Sequence, residues 1–410
     1  MLVQVYIEGM EPQDVFRWRY DRPPSLEQFQ LQFPDDYACA AYLAKKRWPD
    51  GFVCPHCGSR KGWKLRAKPW VWECAGDVET PFGECVPCRK QTSVIAGTIM
   101  HKTHVPLRLW FLAAHLVTTH SNGISALQLQ AKLGLGSYKT AWLLLHKLRR
   151  AMINPNREPL GGEHETVEID ETSIPYRVKG EPLDGGQGRS PIGKLNIIGA
   201  VEWRDDGRSG RIRLEPIRSN GRESLHPFVL ANTLPGTRIF TDGNQAYQGI
   251  SGRIHASKVV GKLPAHIWFK RIHRVFSLMK RWMMGVYHGM RKQHLEVYLQ
   301  EYVFRWNRRR QFRAAFDSLL TIGNRVGPLT YRDLVGRPPV LKTLVQEVKE
   351  GQISAREAYR EALHKGVPEY FAKRLIDPFY APPQPQAYVR RKPARPVLAK
   401  AKTAFVTSTF

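Results

Sequence analysis

"TVEIDETSI", residues 166–174, decides how this chain folds. Its residues alternate as a half-buried strand does, and the run delivers a carboxylate, Asp170, toward its end. Downstream, "KLNIIGAVEWRDDGRSGRIRLEPI" (194–217) reads as a hairpin that turns at "DDGRSG". "RESLHPFVLANTL" (222–234) is helical, and "TRIFTDGNQAY" (237–247) is a strand that ends at Asp242–Gly243. A basic helix, "RIHRVFSLMKRW" (271–282), follows. Ile272, Phe276, Met279 and Met283 give it a buried stripe, and His273 and Lys280, about two turns apart, stack on the neighbouring face. The order is strand, strand, strand, helix, strand, helix, with a carboxylate at the end of the first and of the fourth strand.

That order opens a ribonuclease-H-like α/β fold. In such a fold two strand ends converge, so Asp170 and Asp242 are candidate ligands for a hard cation, Mg²⁺ or Mn²⁺. Two such ions can activate a water or a 3′-hydroxyl and stabilise the leaving oxygen of a phosphodiester. Either aspartate alone reads equally well as a turn cap; the pair in this strand order favours chemistry. Glu168 shares the face of Asp170 and is a reserve ligand, whereas Glu171 points away. His273 is the candidate third corner, with Glu168 or Glu301 as fallbacks. Imidazole suits Mn²⁺ better than Mg²⁺.

Six cysteines include two CxxC pairs, "CPHC" (Cys54, Cys57) and "CVPC" (Cys85, Cys88). Four thiolates at that spacing point to a structural Zn²⁺ in a ribbon, and the tryptophan-rich "GWKLRAKPWVWEC" between them is strand-like. Cys74 could replace Cys85 as third ligand, with "AGDVETPFGE" as an inserted loop; the knuckle spacing favours Cys85. Cys39 reads as a packed thiol, and His56 as exposed.

The remaining segments give an α+β multidomain chain. Residues 1–48 are a lead-in with one helix, "DDYACAAYLAKKRW", and 49–100 are the ribbon. Residues 101–155 hold a buried helix from Pro106 and two further helices hinged at "GLGS", a helix-turn-helix-like pair. Ser137, Tyr138, Lys139 and Thr140 open its candidate recognition helix. Residues 163–312 form the catalytic unit, 313–380 a helical extension, and 381–410 a Pro- and Lys/Arg-rich tail expected to be disordered. A formal charge of +27 makes a polyanion the expected partner, and residues 266–313 alone carry twelve Lys/Arg against two Asp/Glu. Arg274 and Arg281 are therefore candidate DNA contacts, and Trp268, Trp282 and Trp306 could stack on frayed bases, although core packing is the commoner use. No apolar run reaches the roughly 20 residues of a membrane span, and no signal peptide opens the chain, so a cytoplasmic, nucleoid-associated protein is expected.

Together these stretches resemble bacterial insertion-sequence transposases with a zinc ribbon before a DDE-type domain. The likeness is carried by "FPDDYACAAYLAKKRWPDGFVCPHCGS", "CRKQTSVIAGTIMHKTHVPLRLWF", "VEIDET", "IFTDGNQAY", "HRVFSLMKRWMMGVYHGM" and "HLEVYLQEYVFRWNRR", from Phe33 to Arg309. It implies Asp170, Asp242 and His273 as the metal triad, with His273 in place of the usual glutamate, and Lys280 as a phosphate contact. It also implies binding of terminal inverted repeats, 3′-end cleavage and strand transfer into double-stranded target DNA by a homodimer or higher multimer. A non-catalytic DNA-binding regulator and a nuclease without strand transfer are the alternatives. Two departures stand out: the segment between Cys74 and Cys85 is longer than the family's second knuckle, and the chain beyond Asn307 outruns the usual module.

Overall fold

Local signals start most of the helices. In the computed structural model the described residues are 24–364, apart from 69, 80–82, 155–156, 176–192, 259–267, 289–293, 335–343, 345–346 and 349; the expected tail lies outside them. Ser25 and Gln28 form a capping box at α1 (Leu26–Gln32), a helix the sequence reading of the lead-in lacks. Asp35 caps α2 (Asp36–Arg47) by accepting the Ala38 N–H. After Pro106 comes α3 (Leu107–Thr119), whose buried face includes Trp110, Phe111 and Val117. Ser125 and Gln128 box the start of α4 (Ala126–Leu133), and Gly134 ends it in the left-handed region, φ 62°. The chain then re-enters α5 (Tyr138–Ala151) at Ser137.

Short strands build the ribbon: β1 (Gly62–Lys64), β2 (Val71–Cys74) and β5 (Gln91–Ser93) form one antiparallel sheet, and β3 (Asp77–Glu79) pairs with β4 (Cys85–Pro87) in a separate hairpin.

The second half is a five-stranded sheet in the order β10-β9-β6-β7-β8. Its strands are β6 (Thr166–Pro175), β7 (Lys194–Trp203), β8 (Ser209–Ile217), β9 (Arg238–Thr241) and β10 (Ile254–Ser257). The first three pair antiparallel, whereas β9 lies parallel to β6 and β10 parallel to β9. α6 (Arg222–Asn232) is the crossover from β8 to β9 and packs Leu225, Phe228 and Val229 on one sheet face. α7 (Lys270–Tyr287) and α8 (Leu295–Asn307) cover the other, with Ile272, Phe276, Met279 and Met283 buried as the periodicity requires.

α9 (Phe312–Arg325) turns back to the first half, where Leu319 and Leu320 join the core of α1, α2, α3 and α5. Asn324 donates to the Leu43 carbonyl there, at 3.0 Å. α10 (Tyr331–Leu334) and α11 (Ala355–His364) belong to a small satellite core against Trp142 and Leu143. No helix among the described residues is long and apolar enough to cross a membrane.

Candidate active site and metal centres

The sheet order puts the end of β9 beside β6, so Asp242 and Asp170 approach one another from parallel strands. Opposite Asp170 across the β6–β7 ladder stands Gly199, on the face covered by α7. A Cβ on Gly199 would sit 2.6 Å from the ring of Phe276, so the missing side chain is what lets α7 lie this close. Two residues before Asp170, Glu168 is fully buried. One of its oxygens accepts the Ile272 N–H in the first turn of α7 at 2.9 Å, and the other accepts the Trp203 indole N–H at 3.1 Å. Arg271, stacked on Trp203, lies 3.9 Å away. The charge thus caps the positive end of α7 and fixes the helix on β6. Glu168 is therefore spent on docking, and Glu301 is buried against Arg149 at 2.6 Å, so neither fallback is free to serve as third ligand.

The result is that His273 Nε2 lies 3.3 Å from Asp170 Oδ2. Burial pushes the Asp170 carboxyl up to about 7, and the charges of Asp242 and Glu168 add to the rise, against the Glu171 N–H and Lys280. Burial lowers Lys280, with Asp170 opposing. Glu171, on the other face, is pushed up to about 7 by burial, with Asp170 and Asp242 adding, while the Tyr247 hydroxyl donates to it. Asp170, Asp242 and Glu168 crowd one corner, and the two strand-end aspartates are a donor set whose repulsion a divalent cation would relieve. Asp170, Asp242 and His273 are not drawn into one tight knot: among the described residues the only group of three or more metal-binding side chains within 4.8 Å of one another is a set of cysteines.

That set is Cys54, Cys57, Cys74 and Cys88. Sulfur separations of 3.4 Å (Cys57–Cys74) and 3.9 Å (Cys54–Cys88) are close to the edge of about 3.8 Å for a tetrahedron of 2.3 Å Zn–S bonds. The residues fit a structural Zn²⁺. Cys85, expected as third ligand from the "CVPC" spacing, is exposed instead. The reason is backbone geometry: Cys54 and Cys57 flank a turn, but Cys85–Pro87 is strand β4 paired with β3, and an extended run cannot fold two thiolates onto one ion. Cys74 takes the place. Its sulfur accepts the Gly76 N–H at 3.3 Å, as Cys54 accepts the His56 N–H at 3.4 Å. "CAG" after a strand was the available signal. Cys39 is buried, and His56 is exposed, with Nδ1 3.6 Å from the Cys88 sulfur.

The candidate DNA contacts fall on separate surfaces. Ser137 precedes α5 without a side-chain cap, and Tyr138 and Lys139 are exposed on a cleft of about 970 Å³ shared with Trp142, Tyr298 and Tyr331. Arg281 and Arg274 line two other clefts along α7. Trp282 is buried, and Trp306 donates to the Gly210 carbonyl, so both are packing residues; Trp268 is exposed under Lys258.

Comparison with known proteins agrees with this layout. Residues 159–307 match the ISXO2-like transposase domain, and residues 34–76 match the transposase zinc-ribbon domain. An uncharacterized protein in transposable element ISH50 of Halobacterium salinarum is 24% identical over 291 residues, which cover 67% of this chain and 91% of that protein. No solved structure matches. The likeness read from the sequence, to insertion-sequence transposases with a zinc ribbon ahead of a DDE-type domain, is borne out by these matches.

Proposed function

We propose that the chain is a DNA transposase that binds the terminal inverted repeats of its element, cleaves their 3′ ends and transfers them into target DNA. The observation that carries the reading is the meeting of His273 with Asp170 at 3.3 Å, on a helix docked by Glu168 and beside a second strand-end aspartate. The sheet order β10-β9-β6-β7-β8, three antiparallel strands extended by two parallel ones, supports the ribonuclease-H-like reading, in which such strand ends form the reactive corner. Asp170, Asp242 and His273 would hold Mg²⁺ or Mn²⁺. The bound ion would activate water or a 3′-hydroxyl and stabilise the leaving oxygen. Lys280, on the same face of α7 as His273, holds the phosphate against the carboxylates. Gly199 and Glu168 set the height and register of α7, and through it the place of the imidazole. The ribbon and α4–α5 bind the repeat, with Ser137, Tyr138 and Lys139 at the reading end, and Arg274 and Arg281, in separate clefts, meet DNA phosphates. The chain works in the cytoplasm, on the nucleoid, as a dimer or larger multimer, because an element has two ends.

The test is end cleavage and joining by Asp170→Ala and Asp242→Ala. Both should abolish both steps and leave end binding within a few-fold. His273→Ala should lose roughly 10²–10⁴ in rate, and His273→Glu should recover part of it with a shift from Mn²⁺ toward Mg²⁺. Cleavage that survives loss of both aspartates removes this mechanism, whereas end binding with no cleavage by the wild type leaves the regulator reading.

A further inference from the structure

α7 carries cations on two faces that do different things. At about 100° per residue, Arg271, Arg274 and Leu278 form a stripe roughly 135° round the helix from His273 and Lys280. The second stripe opens on a cleft of about 630 Å³ between α7, the end of α8 and the tip of the β7–β8 hairpin. Arg208, Lys270, Arg271, Arg274, Arg309 and Arg310 line it, and no carboxylate does so among the described residues. Asp206, 3.7 Å from Arg208, and Glu168, 3.9 Å from Arg271, offset only part of that charge.

Two of the guanidinium planes are held in place. Arg271 stacks on Trp203 and donates to the Gly207 carbonyl at 3.3 Å. Arg309 stacks on Trp306 and donates to the carbonyls of Trp306 and Ser209. Burial lowers Arg309 to about 10, and the neighbouring Arg310, Arg204 and Arg274 contribute. Cations crowded and fixed in this way cost one another stability until an anion joins them. Pre-oriented planar donors match phosphodiester oxygens.

We propose that this cleft holds the backbone of a second duplex, the target DNA, along a stretch flanking the phosphodiester that the freed 3′-hydroxyl attacks, while the His273–Lys280 face holds the end being cut. The inference rests on the transposase reading, since strand transfer brings a target duplex to a chain that already holds an end. Arg208 is on an exposed hairpin tip and Lys270 opens α7, so the double variant Arg208→Glu/Lys270→Glu removes charge from the cleft without disturbing the stacked arginines.

The experiment uses full-length protein preloaded with end duplex and titrated with random-sequence duplex over a salt series, alongside cleavage and strand-transfer assays. The variant should cleave ends within about two-fold of wild type. Its strand transfer should fall at least ten-fold, and the salt slope for the second duplex should drop by about two, near 0.9 per lost phosphate contact. An equal fall in end binding or cleavage overturns the proposal, because the cleft then belongs to the end contact. Unchanged affinity and salt slope for the second duplex overturn it as well. Absence of cleavage by the wild type would sink the transposase reading instead, while the second-duplex titration would still report on the cleft.

Discussion

Glu168→Gln is a nearly isosteric change with a calculable cost. In the wild type the Ile272 N–H and the Trp203 indole N–H each point at a different oxygen of the Glu168 carboxylate. Only the ionised form accepts at both. An amide offers one acceptor and one NH₂, so whichever way it turns, one donor faces another donor inside the core. Leaving a buried donor unsatisfied costs about 1–3 kcal/mol. Arg271, itself nearly buried 3.9 Å away, loses its counter-charge in addition. The sum is about 2–4 kcal/mol, concentrated at the first turn of α7. Thermal unfolding should show a Tm lower by roughly 5–10 °C for a cooperative unit of this size. Strand-transfer rates should fall more than end binding does, since His273 is the next residue along. Burial raises the Glu168 carboxyl, so there is a rival state in which it is protonated. Glutamine mimics that state. A variant with wild-type Tm and rate would show that the carboxyl is protonated in the fold, and the charge-on-helix argument would be refuted.

Three further predictions can be checked independently. Native mass spectrometry should find one zinc per chain, retained in Cys85→Ser and lost in Cys74→Ser; the reverse pattern would return Cys85 to the ligand set. Gly199→Ala should strain the Phe276 contact at about 1–3 kcal/mol and lower activity by lifting α7, measurable by chemical denaturation and cleavage rate; wild-type values for both would mean the helix has slack. His146 is buried with neither ring nitrogen hydrogen-bonded among the described residues, and burial, with Arg149 and His294 adding, holds its pKa well below 6.5. The unfolded chain therefore takes up the proton that the folded chain refuses. Stability should fall below about pH 6.5 by up to roughly 1.4 kcal/mol per unit from this residue. His115 and His120, also lowered chiefly by burial, add in the same direction. Denaturation midpoints from pH 7.5 to 5 test this, and His146→Leu should flatten the profile.

The five-stranded half was legible because its signals are local and periodic. The strand alternation around Asp170, the turn at "DDGRSG" and the apolar stripe of α7 each settle one element, and the element order settles the sheet. What was missed depends on partners far away in sequence. Glu168 looks like a spare carboxylate until α7, more than a hundred residues later, brings its N–H to it. Gly199 is silent until Phe276 arrives. β10 is short and only half covered, with too little periodicity to announce itself. Cys85 misled because CxxC spacing fixes separation along the chain but not whether the backbone turns; the β3–β4 pairing decides that.

The buried pair of Arg149 in α5 and Glu301 in α8 has a consequence for anyone who would exchange parts between such elements. Tyr287 joins both partners, and Arg305 reaches from α8 to the carbonyls of Val117, His120 and Ser121 at the end of α3. The helices α3 and α5 of the first half are thus welded to α8 on the five-stranded sheet rather than strung beside it. A chimera that grafts the front half of a relative with a neutral residue at position 149 would leave the buried Glu301 only the Tyr287 hydroxyl and Arg305, 4.0 Å away, to answer its charge, at a cost of up to about 3–5 kcal/mol. On the proposed function, repeat specificity would therefore be inherited together with the sheet it is joined to, and a new one would evolve in place, on the exposed rim of α5 around Tyr138 and Lys139.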